Sequence, residues 1–172
     1  MTAAAADDAT ALAVLFEGAP RYLARLAAAR PFQDDDDLFA RARSIAHAMP
    51  EAEQLELIDA HPRLGAPPGS VSALSFAEQG YDRPDDAAGA AEAERQRVAA
   101  ELDRLNAAYE ARHGFRYCVF VAGRPRAALL ADMEAAIEAD RSSEIRRALD
   151  AVVDIAIDRR AKLRVSTNEG SA

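Results

Sequence analysis

The chain has 172 residues and a net charge of −8; half of it is apolar, mostly alanine and leucine, with few aromatics and no tryptophan. The acidic balance excludes the cationic footprint of a nucleic-acid binder, and one cysteine, Cys118, excludes an intrachain disulfide and any multi-cysteine zinc site. No apolar run approaches the roughly 18 residues of a membrane span, and "MTAAAADDAT" lacks the basic start and apolar core of a secretory leader. The expected setting is the cytoplasm, with no nucleic-acid or membrane partner.

Ala, Leu, Arg and Glu lose little on entering a helix, so this composition predicts an all-α chain. Leu12, Leu15 and Phe16 give a short first helix closed by Gly18. Pro20 suits the first turn of a second helix, which Pro31 ends. "DDDD" at 34–37 opens a third; aspartates there cap amides and meet the positive end of the dipole, a simpler reading than a metal site. Pro50 starts a fourth, "PEAEQLELIDAH". Residues 62–74 hold three prolines, two glycines and two serines and predict a loop, the kind of segment on which binding groups tend to sit.

"SFAEQG" predicts a short helical turn broken by "YDRPDD". The longest helix is expected over about 86–112, with Ala91, Val98, Leu102, Leu105 and Tyr109 as its buried stripe. Gly114 ends it. "FRYCVFVA" predicts an extended buried segment, in which Cys118 is an inert core residue. Pro125 opens another helix to about Asp140, and Ser142, Ser143 and Glu144 suggest the cap of a last one to about Leu163. The expectation is a single-domain bundle of seven to eight helices over 1–172, with one short extended buried segment and flexible tails at 1–7 and 165–172.

Phosphate-loop, dinucleotide, CxxC, HExxH and GxSxG motifs are all absent, which leaves polar residues at helix ends as candidates. His61, one of three histidines, stands where the fourth helix must stop before Pro62. A helix C-terminus favours imidazolium, so a pKa near neutrality is expected, suited either to acid–base work or to plain capping. Pro62 disfavours helical backbone at His61 and aims the ring beside the loop. "SFAE" fits a capping box in which Ser75 bonds the amide of Glu78, and Gln79 carries an amide that can bind a ureido or carboxylate group. Arg159 lies in a basic cluster at the end of the last helix, where charge compensation explains it equally well. Asn106 and Tyr109 suggest bracing between helices.

In order along the chain, "LFEGAPRYLARLAAARPF", "DAHPRLG", "SFAEQ", "LNAAYEARHGFRYCVFVAG" and "ALDAVVDIAIDRR" match a known pattern from about Phe16 to Arg160. This ordered set resembles the 2-oxo-4-hydroxy-4-carboxy-5-ureidoimidazoline (OHCU) decarboxylase family, which completes the conversion of urate to (S)-allantoin. The resemblance implies an all-α fold, often homodimeric, with a small-molecule substrate, no cofactor and no metal. By position it implies His61 as the catalytic histidine, Glu78 as a second catalytic group, and Pro62, Ser75, Gln79 and Arg159 as substrate-binding residues. The chain departs from the family at Ala122, where an arginine commonly closes the extended segment, with Arg124 two residues on, and at Arg116, which replaces a proline. These departures leave two alternatives: a same-fold acid–base enzyme for another small carboxylated or ureido substrate, and a non-catalytic helical module.

Overall fold

Local helix signals set most element boundaries in the computed structural model, which describes residues 9–80 and 92–169. The described chain is all-α: α1 Ala9–Leu15, α2 Pro20–Ala28, α3 Asp35–Ala48, α4 Glu51–Asp59, α5 Ala73–Glu78, α6 Glu92–His113, α7 Leu130–Glu138 and α8 Arg141–Glu169. Two 3₁₀ turns, Pro68–Ser70 and Arg126–Leu129, complete it. The chain separates into two compact units, Met1–His61 with Ile145–Ala172, and Pro62–Glu144.

In the first unit, Asp34 caps α3 as its sequence suggests, its side chain accepting the Asp37 amide at 2.8 Å. Pro20 occupies the first turn of α2, where its missing N–H costs nothing. The core gathers Phe16, Tyr22, Leu26, Leu38, Ala42 and Ile58 with one stripe of α8: Leu149, Val152, Val153 and Ala156. Phe16 and Tyr22 meet edge to face at 5.0 Å, and the Tyr22 hydroxyl donates to the Ala42 carbonyl at 3.0 Å, so this buried phenol has its partner. Charges tie α3 to α8 at the surface. Arg43 bridges Asp150 and Asp154 at 2.6 and 2.7 Å, and His47 lies 2.9 Å from Asp150.

In the second unit, α6 buries Leu102, Leu105, Asn106, Tyr109 and His113, the three-and-four spacing of one helix face. The start expected near residue 86, and Ala91 in the stripe, lie outside the described residues; Val98 is half-buried. Residues 116–121 run without helix or strand pairing, as the apolar run suggests, burying Tyr117, Cys118 and Val121 beside Phe115. Tyr109 collects Phe115 and Tyr117 edge to face at 5.5 and 5.1 Å.

Three boundaries differ from the sequence expectation. The N-cap of α5 is Ser72, which accepts the Ser75 amide at 3.2 Å, so the helix starts one turn before the "SFAE" box. Both serines carry the residue types of a cap, and the earlier one wins. Likewise Asp140, not Ser142 or Ser143, caps α8: its carboxylate takes the Ser143 amide at 3.1 Å and the Ser142 hydroxyl at 2.6 Å. An aspartate two positions before Ser142 adds charge at the positive helix end, which a serine cannot. Finally, α8 continues to Glu169, so residues 165–169, expected in a flexible tail, are helical; residues 1–8 and 170–172 lie outside the described residues.

Candidate active site

The first unit places three candidate groups in electrostatic reach of one another. α4 ends at Asp59, Ala60 is its C-cap, and His61 follows, 4 % exposed, with Nδ1 3.3 Å from the Leu57 carbonyl. A carbonyl only accepts, so Nδ1 carries the proton and the imidazole lone pair sits on Nε2. The His61 pKa is lowered to about 4, which corrects the expectation of a value near neutrality. Burial is the largest cause and the Arg159 cation adds to it; Glu17 and the Leu57 carbonyl act in the opposite direction. The helix end does favour imidazolium, but removing the ring from water outweighs it. A pKa lowered this far leaves the imidazole uncharged near neutral pH.

Arg159 is fully buried on α8. Its Nη1 donates to the Val14 and Leu15 carbonyls at 3.2 and 3.3 Å, and its Nη2 meets Glu17 Oε1 at 2.7 Å. The guanidinium thus satisfies the last carbonyls of α1 and pairs with the acid just beyond them. Glu17 is a partner of this buried cation that sequence patterning does not reveal. It has a positive φ of 53°, Gly18 follows with 79°, and Arg159 is 142 positions away. The only local signal is an acid between a helix and a glycine.

The second unit gathers the other candidates. Ser75 is buried inside α5, its hydroxyl oxygen 3.1 Å from the Ser72 hydroxyl. Glu78 is the last residue of α5 and half-buried, and Gln79 is the C-cap. The Gln79 amide holds the loop that follows Pro62: Oε1 accepts the Gly65 amide at 2.8 Å and Nε2 donates to the Arg63 carbonyl at 3.1 Å. Asn106 adds a third hold, donating to the Leu64 carbonyl at 2.9 Å. Gly65 is required twice over: its φ is +81°, and a Cβ there would stand 2.9 Å from Leu102 Cδ1. Tyr109 donates to buried Glu144 at 2.9 Å, so Asn106 and Tyr109 brace the fold as their spacing suggests.

Ala122 and Gly123 both have positive φ, 51° and 77°, in a tight turn closed by Arg124 N to Val121 O at 3.0 Å. Arg124 folds back on that turn: Nη2 donates to the Phe120 carbonyl at 3.1 Å and Nη1 pairs with Asp132 at 2.8 Å. Among the described residues no group of three or more His, Cys, Asp or Glu side chains could hold a metal ion, and no helix is long and apolar enough to cross a membrane.

With this geometry in place, the relationships of the chain are clear. The family model of OHCU decarboxylase matches residues 2–161. The uric acid degradation bifunctional protein PucL of Bacillus subtilis is 32 % identical over 145 residues, 84 % of this chain but 28 % of that protein. The 2-oxo-4-hydroxy-4-carboxy-5-ureidoimidazoline decarboxylase of Haloferax volcanii is 30 % identical over 142 residues, 83 % of this chain and 80 % of that one. A crystal structure of OHCU decarboxylase in the presence of (S)-allantoin superposes with a TM-score of 0.65 at 22 % identity, covering 88 % of this chain and 94 % of that one. A crystal structure of (S)-allantoin synthase gives 0.61 at 20 % identity, covering 92 % of this chain and 52 % of that one, a likeness of fold. Fold and relatives together define the class: an all-α enzyme of the decarboxylase type. The chain belongs to the OHCU decarboxylase family.

Proposed function

We propose that the chain decarboxylates OHCU to (S)-allantoin and CO2, with His61 as the acid–base group. The observation that carries this reading is the state of His61: buried, proton on Nδ1, lone pair on Nε2, and neutral above a pKa of about 4. Decarboxylation releases an electron pair that needs a sink, and this substrate carries its own in the ring C=N next to the carbon bearing carboxylate and hydroxyl. As CO2 leaves, the pair forms a double bond between the two ring carbons, and the C=N π pair moves onto nitrogen, which takes a proton. The hydroxyl proton then passes to a base as the C=O forms, and the neighbouring carbon takes a proton on one face. No further electron acceptor is required.

A neutral imidazole suits removal of the hydroxyl proton. Glu78 is assigned to delivery of the proton to carbon. Pro62, Ser75, Gln79 and Arg159 are assigned to substrate binding, Arg159 through charge-assisted hydrogen bonds to an anionic group and Gln79 through the loop it holds. The family match runs through both units, which supports one functional domain over 1–172. A cytoplasmic homodimer with no nucleic-acid or membrane partner completes the reading; light scattering checks the dimer.

The direct test generates the short-lived substrate from urate with urate oxidase and hydroxyisourate hydrolase and follows allantoin by circular dichroism. The proposal requires the protein to raise both the rate and the enantiomeric excess; spontaneous values for both would refute it.

One observation favours a second reading, a related small carboxylated or ureido substrate. Ala122 replaces the arginine that the resemblance implies, and Arg124 is committed to Asp132 and two turn carbonyls. Competition of carboxylated ureido compounds against OHCU separates the two readings by the ratio of kcat/KM.

A further inference from the structure

We propose that Glu17 is a positioning residue for the reaction: it and the end of α1 fix the plane of the Arg159 guanidinium, and so the direction in which that guanidinium can meet the anionic group of a substrate. The role assigned to Arg159 rests on the decarboxylase reading; the geometry that Glu17 imposes does not.

Arg159 has no exposure, and α1 and the second residue after its end hold it through the carbonyls of Val14 and Leu15 and the carboxylate of Glu17. Nη1 is held by two carbonyls, and the 2.7 Å bond from Nη2 to Glu17 holds the other terminal nitrogen by charge. A planar fork held at both terminal nitrogens keeps one orientation.

The backbone at Glu17 supports the same conclusion. A non-glycine residue with φ of +53° is held in a sparsely populated region. That conformation brings the Glu17 carboxylate to a residue 142 positions away. Glu17 also neutralises a buried cation that otherwise suppresses protonation of His61, so its charge reaches the catalytic base as well.

The test compares Glu17→Gln, which keeps size and backbone strain but loses charge, with Glu17→Asp, which keeps charge. Glu17→Gln is expected to lower kcat/KM at least ~10-fold, mainly through KM, with Glu17→Asp recovering part of the loss. On an Arg159→Met background, adding Glu17→Gln should cost less than ~2-fold, because the two residues act as one unit. Full additivity of the two substitutions would overturn the proposal. Independently of any activity, the guanidinium protons of Arg159, followed by nitrogen-15 NMR, should be slow to exchange in the parent protein and at least ~10-fold faster in Glu17→Gln. Unchanged protection would also overturn it. If the parent lacks decarboxylase activity, the functional reading fails, and the NMR comparison still decides whether Glu17 holds Arg159.

Discussion

The two units use buried polar groups in opposite ways around the candidate residues. In the first, the Arg159 cation is buried with Glu17 as its counter-charge, and both charges act on the proton affinity of the neutral His61 ring. In the second, Gln79 and Asn106 are neutral amides that direct their hydrogen bonds to the backbone of Arg63, Leu64 and Gly65. Buried charge tunes chemistry at some risk to stability, whereas neutral amides fix a loop without changing any charge nearby. Mutations in the two units should therefore fail in different ways.

The largest expected effect falls on the chemistry of the charged unit. His61→Asn should reduce turnover ~10²–10⁴-fold while far-ultraviolet circular dichroism stays at the parent's value, since general acid–base groups contribute on that scale. An active mutant would move catalysis away from the first unit. Next, Arg159→Met leaves the Glu17 carboxylate without its buried cation and should cost ~3–5 kcal/mol in urea unfolding. A loss below ~1 kcal/mol would show that the pair is solvated, as surface pairs are, and the contrast between the units would weaken.

His61 also makes the first unit sensitive to pH. Its folded pKa is about 4 against an ordinary value of 6.5, so between these values the unfolded chain binds the proton more tightly. Stability from this group is therefore fully present above about pH 6.5 and is lost as pH falls toward 4, by ~3 kcal/mol in all. The stability of the parent should fall relative to that of His61→Asn across this window and run parallel to it above; parallel behaviour throughout would show that the ring is not buried as a neutral base. The smallest effect belongs to the neutral unit. Gln79→Leu strands the Gly65 amide and the Arg63 carbonyl and should cost ~1–3 kcal/mol, with faster hydrogen exchange at Gly65 and no change in the pH dependence of stability. A changed pH dependence would mean that the two sets of residues are electrostatically coupled.

The fold is legible in the sequence because its signals are local. Prolines, aspartates and glycines punctuate helices within a turn, and Asp34, Pro20 and Gly114 act where they are expected. Caps are displaced where two capping residues lie close together, at Ser72 against Ser75 and Asp140 against Ser142. The physical state of the candidate residues is less legible than the fold. His61 stands out from the helix stop at Pro62, yet its proton affinity depends on burial by residues distant in sequence, which the helix end alone does not reveal. Glu17 is the plainest case, a residue whose ion pair exists only once α1 and α8 have met.

That meeting also gives the candidate site a place in time. The second unit is continuous in sequence, so all of Pro62–Glu144 has been synthesised before the first unit is whole. The first unit takes Met1–His61 from the start of the chain and Ile145–Ala172 from its end. On the ribosome, His61 therefore waits for nearly a hundred residues before Arg159 exists to join Glu17 beside it. Helices α1 to α4 can form early, but the environment that keeps the imidazole neutral is completed only with the last helix. The pairing of Arg159 with Glu17 therefore waits for the C-terminal helix to be made.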